Sequence, residues 1–132
     1  MQKATSHFSQ TLMKNKTILI TGGSRGGMLL EMAKFYLQHE AKGVVLMSRK
    51  AETNNAAVKE LKKYGPCHGE LGDVSNIEDC KRVVANAISK FGSIDVLVNG
   101  AAGNFLATAS KLSTNGFKKV LEIDTVGTFN MC

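Results

Sequence analysis

The stretch TILITGGSRGGMLLEMAKFY, residues 17–36, joins an apolar β-branched run to a glycine cluster and then to apolar residues at helical spacing. Its four glycines, Gly22, Gly23, Gly26 and Gly27, fall within six positions. A glycine turn that follows a buried strand and opens a helix gathers free backbone N–H groups and the positive end of the helix dipole at one spot. That spot suits a pyrophosphate, because glycine permits positive φ and lets phosphate oxygens approach the main chain. Thr21, Gly22, Gly23, Ser24, Arg25, Gly26 and Gly27 are therefore candidate cofactor-binding residues, while Leu29, Leu30, Met32, Ala33 and Tyr36 can anchor the helix to a sheet. A plain strand-to-helix connection is the alternative, and four glycines in one turn weigh against it.

Outward from this unit the chain alternates. GVVLMS (43–48) and SIDVLVN (93–99) are further β-branched apolar runs, and CHGEL (67–71) is a weaker candidate strand. In SNIEDCKRVVANAISKFG (75–92), Ser75 and Glu78 have capping-box spacing, Ile77, Cys80, Val84, Ile88 and Phe91 share a face, and Gly92 ends the helix. AETNNAAVKELKKYG (51–65) also closes on glycine, with Lys62 and Lys63 in its last turn. Strand and helix in alternation with short links predict right-handed crossovers and a parallel sheet. The expected class is α/β, a Rossmann-type parallel sheet with helices on both faces, truncated after about four of the roughly six strands of a doubly wound fold. Residues 1–16, Ser/Thr-rich and basic, read as a disordered or targeting lead-in, and residues 17–132 as the N-terminal part of a dinucleotide-binding domain.

Composition narrows the partners. The chain has 132 residues, 43% of them hydrophobic, enough for one core, and no apolar run nears the roughly 20 residues that cross a bilayer, so membrane insertion is not expected. Cys67, Cys80 and Cys132 are odd in number and lack CxxC spacing, which favours reduced packing thiols over disulfides or a metal site. His7, His39 and His68 show no acid or cysteine partner at ligand spacing and receive no role. Seventeen Lys and Arg against eleven Asp and Glu leave a net charge of +6, but the cations are scattered and aromatics are only 6%. A base-stacking platform is thus not expected, whereas an anionic small ligand is compatible.

The end of the second strand decides between dinucleotides. Folds that select NAD place a carboxylate about 20 residues past the glycine turn to hold the ribose 2′-OH. Residues 41–51, AKGVVLMSRKA, contain no acid and supply Ser48, Arg49 and Lys50 instead, with Arg25 at hand from the glycine loop. A 2′-phosphate would gain charge-assisted hydrogen bonds worth about 1.5–3 kcal/mol each, so the expected cofactor is NADP(H).

These residues resemble the short-chain dehydrogenases/reductases. Their TGxxxGxG loop is similar to TGGSRGGM (21–28), their Asp-Val after the third strand to Asp73 and Val74, and their Asn-Asn-Ala-Gly after the fourth strand to NGAAG (99–103). The resemblance implies that Asp73 binds the adenine amino group beside Val74, and that Asn99 and Ala101 line the cofactor. AAGNF (101–105), LSTNGF (112–117) and IDTVGTFN (123–130) resemble 2,4-dienoyl-CoA reductases, and aspartate at Asp124 resembles their peroxisomal type. The implied reaction is hydride delivery from NADPH to the δ carbon of a 2,4-dienoyl-CoA thioester, with protonation at the α carbon giving a 3-enoyl-CoA. Phe105, Ser113, Thr114 and Asn115 would then touch the acyl-CoA, although Ser113 and Asn115 also suit helix capping. The implied compartment is the peroxisome, with the mitochondrion as the alternative.

Asp124 stands out on the residues alone. Winding residues 117–131 as an α-helix places Phe117, Val120, Leu121, Thr128 and Met131 along one stripe with Asp124 near its centre. A carboxylate buried there must be paired, hydrogen-bonded to backbone, or held protonated. It is a candidate catalytic proton donor; clamping backbone amides is the alternative role. Met28 stands where the loop's last glycine is expected, so its thioether is expected to crowd the helix start or the pyrophosphate. Ser75 occupies a position where the peroxisomal type often carries arginine. With strand four an unpaired edge and the last stripe uncovered, the chain is expected to form a homo-oligomer or to serve as a subunit of a larger assembly. Two alternatives to the reductase stand beside it: a noncatalytic structural or nucleotide-binding subunit, and a ketone or 3-ketoacyl thioester reductase.

Overall fold

Alternation within the first two strands sets the layering of the molecule. The computed structural model describes residues 8–132. In β1 (Thr17–Thr21) and β2 (Gly43–Ser48), Ile18, Ile20, Val44 and Leu46 point to one core, and Leu19, Val45 and Met47 to a second core on the opposite face. Side chains in a strand alternate faces, and these strands are covered on both, so they read as unbroken apolar runs. Each such fully buried side chain contributes about 1.5–3 kcal/mol. β3 (Cys67–Leu71) and β4 (Val96–Asn99) complete a four-stranded parallel sheet of order β3-β2-β1-β4.

The helices divide between the two faces. α1 (Met28–Gln38) and α2 (Ala51–Leu61) supply Ala33, Leu37, Ala57 and Leu61 to the first core. α3 (Ile77–Phe91) and the short α5 (Gly127–Met131) supply Cys80, Val83, Ala87, Phe91 and Met131 to the second. The expected class therefore holds: a Rossmann-like parallel sheet with helices on both sides. Part of the lead-in is seated on this body. Met13 packs against the first core, its amide donates to the His39 carbonyl, and Lys14 forms an antiparallel bridge with Ala41.

Local corrections have local causes. β4 begins at Val96 rather than Ser93, because the Asp95 carboxylate turns back to accept the Thr17 amide at 2.8 Å and closes the start of β1. The cap of α3 is Asn76, whose side chain accepts the Glu78 and Asp79 amides; Ser75 is spent on Asp73. The buried stripe of α3 is Cys80, Val83, Ala87 and Phe91, leaving Ile77 and Ile88 exposed. At 100° per residue the expected face is displaced by roughly 60°, and the sheet contacts the side where small Ala87 permits close approach. α2 ends at Leu61 with Lys59 in its last turn, before Lys62 and Lys63. His68, expected without an acid partner, has one: its Nε2 lies 2.9 Å from Glu70 Oε1, two positions along the same strand face.

The largest departure follows β4. One continuous helix over 117–131 is replaced by α4 (Thr114–Leu121), a π turn at Glu122–Val126, and α5. The wider turn alters the winding, so Met131 and Gly127 are buried while Phe117, Leu121 and Phe129 remain exposed. Asp124 is exposed as well, contrary to the buried position expected for it.

Candidate functional site

In open parallel sheets, ligands bind outside the carboxyl ends of the strands where strand order reverses. Here that reversal lies between β1 and β4, and a cleft of about 200 Å³ opens there and extends across the ends of β2 and β3. That is less than the roughly 300–1,000 Å³ typical of a ligand pocket.

β1 runs into a 3-10 turn at Gly23–Arg25, and α1 starts directly after Gly27 with no side-chain cap. Gly22, Gly26 and Gly27 have φ of 84°, 83° and 73°. A Cβ on Gly22 would lie 2.7 Å from the Gly100 carbonyl oxygen, whereas Cβ atoms on Gly26 and Gly27 would meet nothing within 4 Å. Gly22 therefore lets two backbones touch, and the other two keep space open before an uncapped helix start. This arrangement fits a pyrophosphate. Met28 does not obstruct it: its side chain is 78% exposed and is absent from the cleft wall.

The predicted residues separate into those at the cleft and those behind it. Gly22, Ser24, Arg25, Ser48, Arg49, Lys50, Asp73, Val74 and Ala101 line it together. Thr21 is buried behind the wall, where its Oγ1 accepts the Gly100 and Ala101 amides at 3.1 Å each and ties β1 to the loop after β4. Asn99, Gly23, Gly26 and Gly27 are not part of the wall; the Asn99 amide nitrogen lies 3.7 Å from Cys132 Sγ. Met47, Thr53, Gly72, Gly100, Ala102 and Ile123 also line the cleft and were not singled out from sequence. Most adjoin a motif residue; Thr53 is signalled by its place in the first turn of α2, where its hydroxyl lies 3.2 Å from that of Ser24.

Electrostatically, one acid faces three cations. Asp73 Oδ1 accepts the Ser75 amide at 2.9 Å and the Ser75 hydroxyl at 2.6 Å, and Oδ2 lies 3.7 Å from Arg49 Nη1. Burial alone pushes this carboxyl up, but the Ser75 hydrogen bonds and the nearby Arg49 and Lys119 outweigh it and hold it below the usual carboxylate range. Asp124 is not part of the cleft wall: its Oδ1 accepts the Gly103 amide at 2.8 Å, and its neighbour Ile123, which does line the cleft, packs against Gly103. Ser113 caps α4 by accepting the Gly116 amide, with exposed Thr114 and Asn115 in the first turn and exposed Phe105 near Gly116. Cys67 and Cys80 are buried, and burial pushes the Cys67 thiol up to about 11. Among the described residues no group of three or more His, Cys, Asp or Glu is placed to hold a metal, and no helix is long and apolar enough to cross a membrane.

A parallel sheet with this glycine turn at its switch point defines a Rossmann-type dinucleotide fold. The short chain dehydrogenase family model matches residues 16–132, and the chain belongs to that family. It is 44% identical over 128 residues to a peroxisomal 2,4-dienoyl-CoA reductase, (3E)-enoyl-CoA-producing, of Arabidopsis thaliana, covering 96% of this chain and 42% of the relative. A Danio rerio protein of the same description is 38% identical, with 98% and 43% covered. The chain thus spans less than half the length of these relatives. Among solved structures, a Bacillus anthracis short chain dehydrogenase superposes with TM-score 0.84 at 38% identity, covering 90% of this chain and 49% of that one. An actinorhodin polyketide ketoreductase with NADPH (TM-score 0.82, 26% identity, 88% and 44% covered) shares the fold. So does a Brucella melitensis 3-ketoacyl-(acyl-carrier-protein) reductase with NADH (0.81, 28%, 90% and 48%).

Proposed function

We propose that this chain forms the coenzyme-binding part of an NADPH-dependent reductase of 2,4-dienoyl-CoA thioesters, serving unsaturated fatty acid β-oxidation in the peroxisome. The observation that carries the coenzyme choice is the convergence of Arg25, Arg49 and Lys50 with Ser48 on one cleft, at a strand end without a carboxylate. The substrate class and compartment are taken from the relatives' descriptions together with AAGNF and Asp124. NADPH, when bound, supplies the hydride. The glycine turn and α1 hold its pyrophosphate, Asp73 accepts the adenine amino group, and the cations beyond β2 meet the 2′-phosphate. Ala101 and Ile123 wall the cleft beside the loop that carries Phe105. Asp124 holds that loop through Gly103, the backbone-clamping role, and its part as proton donor through water rests on its resemblance to the peroxisomal dienoyl-CoA reductases rather than on burial.

NADPH titrated into the chain, followed by nicotinamide fluorescence, should show weak saturable binding, and Arg49→Glu should weaken it about ten- to a hundredfold, the equivalent of one charge-assisted contact. A flat signal at millimolar NADPH favours the noncatalytic structural subunit instead. The exposed apolar side chains of Phe105, Leu106, Phe117, Leu121 and Phe129 support that second reading, and equally a homo-oligomer.

A further inference from the structure

We propose that Asp73 sets coenzyme preference by competing with the 2′-phosphate for Arg49. This rests on the NADPH reading above and goes beyond the adenine contact given to Asp73 there. The parallel β2–β3 register, which ends at Ser48 opposite Leu71, brings the two strand exits side by side, so Arg49 and Asp73 meet at 3.7 Å on the same cleft.

The two partners differ in freedom. Asp73 is fixed: Ser75 holds its Oδ1 through two hydrogen bonds, and its own amide donates at 3.0 Å to Asp79 Oδ2, while Asp79 Oδ1 accepts Arg82 at 2.8 Å. Arg49 is 57% exposed on a long flexible stem, and among the described residues Asp73 is the acid that lies within 4.0 Å of it. The guanidinium is thus the mobile member. At 3.7 Å the pair is looser than a hydrogen-bonded fork, so the carboxylate tethers the arginine by charge without locking its geometry. The carboxyl is held below its usual range, so it keeps its charge at neutral pH and the tether is in force.

A 2′-phosphate carries nearly two negative charges and three acceptor oxygens, and can take Arg49 from a single carboxylate. NADPH binding then exchanges one pair for another, whereas NADH, which offers only a hydroxyl, leaves Arg49 on Asp73. Asp73 therefore reduces the discrimination in favour of NADPH that Arg49 would otherwise provide.

The measurement is the ratio of NADPH to NADH affinity, taken by titration calorimetry on the full chain. Any loss of the adenine contact strikes both nucleotides alike and cancels in the ratio. Asp73→Asn, which retains an oxygen for the Ser75 donors, should raise the ratio about two- to fivefold, the range expected for an exposed ion pair. Arg49→Gln should lower the ratio, and adding Asp73→Asn to that variant should leave it where Arg49→Gln put it. An unchanged ratio in Asp73→Asn overturns the inference. So does an equal rise in both backgrounds, which would mean that Asp73 repels the phosphate directly. If the unaltered chain binds neither nucleotide, the NADPH reading falls and takes this inference with it; binding with an unmoved ratio removes this inference alone.

Discussion

Gly22→Val should destabilise the chain by about 2–5 kcal/mol, a large fraction of its total stability, and move its denaturant midpoint sharply downward. Two costs combine. The residue sits at φ 84°, ψ −1°, a left-handed conformation that costs an L-amino acid about 1–2 kcal/mol. The added Cβ would also lie 2.7–2.8 Å from Gly100 and Ala101 backbone atoms, which cannot swing aside as a side chain end would, and overpacking of this kind costs about 1–3 kcal/mol. Those amides are fixed from the other side by Thr21 Oγ1, so the loop has nowhere to retreat. Domains of this size have about 5–15 kcal/mol in total. Gly26→Ala is the contrast. Its φ of 83° carries backbone strain of about 1–3 kcal/mol, but nothing lies within 4 Å of the new Cβ. The Gly26→Ala chain should therefore keep a measurable transition while losing nucleotide binding, because its methyl occupies the space before α1. Equal loss of stability in both variants would contradict the division between a glycine packed against a neighbouring backbone and one that opens onto free space before α1.

That division was only half visible in the sequence. The glycine turn and the strands were legible because doubly covered parallel strands must be continuous apolar runs, and a turn beside a phosphate must lack side chains. Which glycine faces the neighbouring loop depends on β1 pairing with β4, a contact across most of the chain. The buried face of α3 is ambiguous in the sequence because Val83 with Val84, and Ala87 with Ile88, are adjacent apolar pairs that support two rotations of the helix. Only the depth of the sheet surface chooses between them. The π turn left no mark at all: a shift of hydrogen-bond partner by one residue changes no residue type, yet it moved Asp124 from a buried stripe to the Gly103 amide. The Arg49–Asp73 pair was hidden for a similar reason. Both were named as ligand contacts, but their meeting is set by the β2–β3 register.

The π turn makes a second large effect expected, at Gly127. This residue opens α5 and lies against Val74, whose Cγ2 would stand 2.5 Å and whose Cβ 3.1 Å from a new Cβ. Val74 is buried in the second core, is stiff at χ1, and follows Asp73 directly, so it cannot yield without moving the cleft wall. Gly127→Val should lower stability by about 1–3 kcal/mol, since the helix-propensity gain of a few tenths of a kcal/mol does not offset the clash. Relief has a specific route. Val74→Ala in the same chain removes the obstructing methyl groups, and the pair should recover at least about 1 kcal/mol relative to the sum of the single changes. Denaturant unfolding of the four chains measures that coupling. Nucleotide titration should follow the same pattern, because Val74 and Ile123 wall the cleft from either side of this contact. Strict additivity would show that α5 does not bear on Val74 in solution, and the placement of Asp124 on the Gly103 loop would lose its support, because the π turn is braced there by Gly127 and by the Asn130 side chain donating to the Val74 carbonyl.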